Sequence, residues 1–168
     1  MPPPLTITTG AALPLPGDLD LARLGFERIA SGPAFLQQLA QQGDGRALLA
    51  AIFGNSPFLG QVLLSEPDIL AAFLAQDSAA VLADLIAELT REAASAGESS
   101  LMMRLLRRFR RRAALLIALA DISGRWTLEQ VTGALADFAD AALKLAVDHL
   151  LRRSAAAGDL ALANPERP

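Results

Sequence analysis

The stretch LMMRLLRRFRRRAALLIALADISG, residues 101–124, sets six arginines into nine positions without interrupting an apolar helical repeat. At about 100° per residue, Met102, Leu105, Leu106, Phe109, Ala113, Leu116, Ile117 and Ala120 share one face, and Arg104, Arg107, Arg108 and Arg111 lie opposite. The spacing predicts a helix that buries one side and carries a guanidinium ridge on the other. Such a ridge is most often a solvated helix surface. It is also the best site candidate in the chain, because planar guanidinium forks recognise phosphates and carboxylates. Arg104, Arg107, Arg108 and Arg111 are therefore the residues expected to contact a partner or a neighbouring domain.

Working outward, Gly124 closes this helix, and Thr127 with Gln130 forms a T-x-x-Q capping box that opens the next. Leu128, Val131, Leu135, Phe138, Ala142, Leu145 and Ala146 then run along one side until about Gly158. Toward the N-terminus the punctuation is dense. Asp77 caps a helix carrying Val81, Leu82, Leu85, Ile86 and Leu89 that ends before Gly97. Ser65-Glu66-Pro67-Asp68 supplies a capping hydroxyl and an early proline, and Asn55-Ser56-Pro57 does the same one short helix earlier. Residues 46–53 form another helix. Gly43-Asp44-Gly45 is expected to end the one before it, which Pro33 opens, and Asp18 caps the first, with Leu21, Leu24 and Arg28 near its start. Residues 1–17 hold five prolines and read as a leader with little regular structure. Residues 158–168 read as a linker. The fold expected is all-α, with short helices packed on a long antiparallel helix pair and no sheet; the helical domain spans residues 18–157.

Apolar residues make up 52% of 168, yet there are only seven Phe, one Trp and no Tyr, so Ala and Leu dominate and favour helices. A net charge of −3 argues against a nucleic-acid-coating protein, and no aromatics interleave with the arginines for base stacking. The absence of cysteine excludes disulfides, cysteine zinc sites and a thiol nucleophile, and fits a cytoplasmic setting. No segment approaches the ~20 uninterrupted apolar residues of a membrane span, and no membrane partner is expected.

His149 is the only histidine, which excludes a two-histidine metal site and makes a helix-end or core role the plain reading. Asp137, Asp140, Lys144 and Asp148 share one edge of the last helix, at the spacing of surface ion pairs rather than of a metal or acid–base site. Two consecutive long helices pack antiparallel, so that acidic edge is a candidate to face the arginine helix.

Three blocks taken together resemble one family. They are GNSPFLGQVLLSEPDIL at residues 54–70, LRRFRRRAALLIALADISG at 106–124 and LEQVTGALADFADAAL at 128–143. In this order they are similar to the N-terminal region of the bifunctional glutamine-synthetase adenylyltransferase/adenylyl-removing enzymes. Relatives commonly have an acid after the arginine run and further arginines, where this chain reads Ala113, Leu116 and Ala120 and keeps only Asp121; Ala136 stands where Ser is common. The resemblance implies an enzyme that attaches AMP to a tyrosine of glutamine synthetase and removes it phosphorolytically, under PII proteins and glutamine. It implies magnesium and an ATP/AMP nucleotide as the cofactors of that enzyme, glutamine synthetase and the PII signal protein as its partners, and a nucleotidyltransferase domain following residue 168. For this chain it implies a fragment: the non-catalytic helical region before that domain, inactive by itself, with no catalytic, cofactor-binding or metal-ligating residues, and with a scaffolding or docking role. The alternative is a free-standing helical adaptor that binds an acidic protein through the arginine ridge.

Overall fold

The computed structural model describes residues 13–164; of the leader expected at residues 1–17, residues 1–12 lie outside them, as do residues 165–168. The described residues form eight helices and no strand: α1 (Leu19–Ile29), α2 (Ala34–Gln41), α3 (Gly43–Asn55), α4 (Pro57–Ser65), α5 (Pro67–Ala75), α6 (Ser78–Ala94), α7 (Ser99–Ile122) and α8 (Leu128–Ala157). The all-α class read from composition and periodicity is the one observed.

Helix α7 is the hub. It packs against α4, α5, α6 and α8, while α1 and α2 close over α3. Its N-terminal half is amphipathic, with Met102, Leu105 and Phe109 inside and Leu106 half-buried. Its C-terminal half is enclosed on nearly every side, because Leu115 and Leu119 are buried together with Ala113, Leu116, Ile117 and Ala120. A helix that is apolar all round belongs in a core, and this half is surrounded accordingly. Gly124, at φ 67°, ends the hub in the left-handed conformation that glycine tolerates best. Three residues on, the Thr127–Gln130 capping box starts α8, which returns antiparallel so that His149 and Arg153 near its end reach Ser99 at the start of α7.

Several caps sit where they are expected. Asp18 accepts from the Leu21 amide, Ser56 from Leu59, and Asp77 from Ala79 and Ala80. Others differ, for local reasons. Gly43-Asp44-Gly45 does not end α2 but forms the first turn of α3, after a single extended residue at Gln42. A Cβ on Gly45 would stand 2.5 Å from the Leu39 carbonyl oxygen, so the glycine lets α3 cross the end of α2 at close range. Ser65 does not cap α5; its hydroxyl donates to the Val62 carbonyl inside α4, and Glu66 takes the cap position with its carboxylate turned elsewhere. In α1 the buried positions are Ala22, Gly25 and Ile29, and Leu24 is exposed.

The segment before α1 is held at its C-terminal end. Asn55 accepts from the Gly17 amide at 3.0 Å, and its side-chain amide donates to the Leu15 carbonyl at 3.0 Å; Asp18 N–H donates to Gly54 O at 2.9 Å. Gly54 lies beneath Pro16, where a Cβ would come within 2.3 Å of the proline ring. The Gly54-Asn55-Ser56-Pro57 block thus docks one chain segment and caps the next helix in four residues. Gly54→Ala is expected to cost about 1–2 kcal/mol through overpacking, measured by chemical denaturation, and to raise protease cleavage within residues 13–17. Unchanged cleavage and stability would show that the docking is incidental.

Candidate functional site

The arginines of α7 divide into two groups. Arg112, predicted to be one of many, is the buried one, with a side chain 10% exposed. Its guanidinium donates to Glu88 Oε2 at 2.9 Å and to Asp68 Oδ2 at 2.8 Å, and its Nε stands 3.7 Å from Glu66 Oε2 without a hydrogen bond. Arg108 extends the cluster with 3.5 Å contacts to Glu88 and Glu92, and Arg111 adds a 3.8 Å contact to Glu66. Both guanidinia of Arg108 and Arg112 also lie over the Phe109 ring, 5.0 and 5.3 Å from its centroid.

The network has a sequence logic. Glu66 and Asp68 flank Pro67 at the start of α5, where the helix dipole favours carboxylates. Glu88 and Glu92 are four apart on α6 and therefore share a face. Three arginines of α7 tie these two ends together. Burial alone would lower the pKa of Arg112, but the hydrogen bonds and charges of Glu88 and Asp68 outweigh it and hold the group above the ordinary arginine value. The cation is therefore present at every pH below the usual arginine range.

The second group faces outward. Arg104, Arg107 and Arg110 are exposed, and among the described residues none of the three forms an ion pair. The four ridge residues expected to act together are thus split: Arg108 and Arg111 are half-exposed and paired within the fold, and Arg104 and Arg107 are turned to solvent. The acids that meet the arginine helix come from α5 and α6, not from α8. Asp137 and Asp140 are exposed, and Lys144 pairs with Asp148 at 2.6 Å on the surface. The side of α7 that faces α8 is its apolar side, which leaves no arginine to meet the acidic edge.

Two further polar features lie outside the cluster: Arg125, which the sequence reading passed over, and His149, which it read as a core or helix-end residue. Arg125, in the turn after α7, donates to the Phe73 carbonyl at the end of α5 and stacks 3.9 Å above the Phe73 ring; burial lowers its pKa, partly offset by Asp77. His149 is buried and lies 3.1 Å from Ser99 Oγ, which accepts from Arg153 at 2.8 Å. Ser99 Oγ thus joins Arg153 and His149 near the end of α8 to the start of α7, an arrangement that ties helix ends together.

Among the described residues no three His, Cys, Asp or Glu side chains are grouped so as to hold a metal ion. A hollow of about 350 Å³ between α6 and α8 is lined by Ala79, Ala83, Ile86, Trp126 and Gly133, with Asp137 at its edge. A single carboxylate beside small apolar residues makes no acid–base pair. No described helix is long and apolar enough to cross a membrane, and the apolar helices α4 and α5 meet at 86°.

Comparison with solved structures gives no match. Sequence comparison is more informative. The chain is 42% identical over 135 residues to a bifunctional glutamine synthetase adenylyltransferase/adenylyl-removing enzyme of Bradyrhizobium sp. (strain ORS 278), covering 80% of this chain and 14% of that protein. The enzymes of the same name from Xanthobacter autotrophicus and Mesorhizobium japonicum are each 39% identical, over 88% and 89% of this chain and 15% of their own length. The chain therefore spans about one-seventh of the length of these relatives. The family model for glutamate-ammonia ligase adenylyltransferase matches residues 46–166, from the first turns of α3 through the whole of α8. That span holds the docking block at Gly54, the Arg112 cluster and the capping box of α8, and with it the chain belongs to the glutamate-ammonia ligase adenylyltransferase family.

Proposed function

We propose that this chain serves as the non-catalytic helical region of an enzyme that adenylylates and deadenylylates glutamine synthetase, and that its outward arginines dock an acidic surface. The observation that carries the docking role is the division on α7: three arginines are matched by acids of the same fold, while Arg104, Arg107 and Arg110 are left facing solvent without one. Unmatched guanidinia on a rigid helix are suited to carboxylates of another protein or domain. In this reading the acidic partner is glutamine synthetase or the nucleotidyltransferase domain. Magnesium and the nucleotide belong to that domain, PII proteins act on the larger enzyme, and the setting is cytoplasmic.

The Arg104→Ala/Arg107→Ala variant is expected to melt within about 2 °C of the parent chain, since exposed substitutions away from packed features cost little. Its affinity for purified adenylylated glutamine synthetase, measured by biolayer interferometry at low salt, is expected to fall at least about tenfold, a loss of ~1.4 kcal/mol. Equal binding by parent and variant would leave the ridge a solvated surface. Phosphate-dependent release of AMP by the chain alone would overturn its non-catalytic assignment.

A further inference from the structure

Helix α8 carries two apolar rows, and the bundle covers only one. The covered row is Val131, Ala134, Phe138 and, further along, Leu145 and His149. The second row lies about 100° round the helix and comprises Leu128, Leu135, Ala139, Leu143 and Leu150, with Val147 at its edge. The leucines are 72%, 51%, 64% and 58% exposed in chain order. From Leu128 to Leu150 the row extends about 33 Å at 1.5 Å per residue. Sequence periodicity had placed Leu128 and Leu135 in the buried row together with Val131 and Phe138, and the fold separates them.

The four leucines together with Val147 at the edge present on the order of 500 Å², the size of the largest apolar patch on a typical monomer. That size decides between occupants. A standard interface between free proteins buries about 800 Å² from each partner, more than this row offers to a second copy. Contacts between domains of one chain bury roughly 600–1,500 Å² in total, and the tether supplies an effective concentration near the millimolar range. The relatives supply the polypeptide: the matched region is 14–15% of their length, and the family match runs the full length of α8.

We propose that the Leu128–Leu135–Leu143–Leu150 row seats an apolar helical face of the remaining adenylyltransferase polypeptide, as a contact within one long chain. This rests on the chain acting as the helical region of that enzyme. It assigns the domain contact to α8 and leaves Arg104 and Arg107 on α7 for the acidic surface.

Three measurements decide it. In sedimentation equilibrium from micromolar to near-millimolar concentration, the chain and its Leu135→Glu/Leu143→Glu variant are both expected to be monomers with equal melting temperatures. A dimer abolished by the substitutions would assign the row to a second copy and overturn the proposal. In a chimera, residues 46–166 replace the matched segment of the Bradyrhizobium enzyme, and limited proteolysis is expected to release this region at least tenfold faster with the two glutamates than without. Equal release overturns the proposal. Independently of whether the chimera folds, the chain is applied to overlapping peptides covering the rest of that enzyme. Capture by an amphipathic segment, lost with Leu135→Glu/Leu143→Glu, supports the proposal, and absence of any capture that depends on the leucines overturns it. Glutamine-synthetase binding by the chain alone reads out the arginines and not the leucine row, so the two readings fail separately.

Discussion

Phe109→Ala is expected to lower the free energy of unfolding by about 4 kcal/mol, the range for truncating a fully buried aromatic residue. Phe109 is completely inaccessible on the hub helix, and it also forms the floor beneath the Arg108 and Arg112 guanidinia. Truncation therefore opens a cavity and removes two cation–ring contacts together. For a domain of this size the melting temperature should drop by roughly 8–16 °C. Phe109→Leu, which keeps most of the volume, should cost about 1–1.5 kcal/mol. Urea denaturation with an unchanged slope is the measurement, and a loss below about 1 kcal/mol for the alanine variant would mean that α7 is not the centre of the core.

Arg112→Ala is expected to cost about 3 kcal/mol, toward the lower end for breaking a buried pair because Asp68 keeps substantial contact with water. The loss is mainly what remains: Glu66, Asp68 and Glu88 crowded at one place without their cation. Arg112→Met fills the channel with an apolar stem but leaves the same three carboxylates, so it should recover only part of the loss. Added salt should stabilise both variants more than the parent chain, because screening relieves the repulsion. Equal melting temperatures for parent and Arg112→Ala would contradict a structural role for the cluster. Since Phe109 and Arg112 are in contact, their double variant should fall short of the sum of the single losses.

These two residues mark the boundary between what local pattern reveals and what it conceals. Phe109 was legible as a core residue because helical periodicity alone puts it beside Leu105, Ala113 and Leu116. Arg112 was not. On a wheel it is one more arginine in a run, and its burial is set by Glu88, 24 positions earlier, and Asp68, 44 positions earlier. The outward pair was legible only as part of a larger ridge. What separates Arg104 and Arg107 from Arg108 and Arg111 is the distance to acids on other helices, and a helical wheel contains no such distance.

The helices themselves were written in local chemistry. Asp18, Ser56, Asp77 and Thr127 cap because their side-chain oxygens reach amides two or three residues on, an interaction contained within one turn. Ala and Leu content set the class, and three ordered blocks carried the family. Tertiary structure decided which apolar row of α8 is covered, which glycines permit close crossings, that Ser65 closes one helix instead of opening the next, and which arginine is buried. Each of these depends on contact between segments distant in the chain, where free energy is determined by distance and exclusion of water rather than by spacing along the sequence.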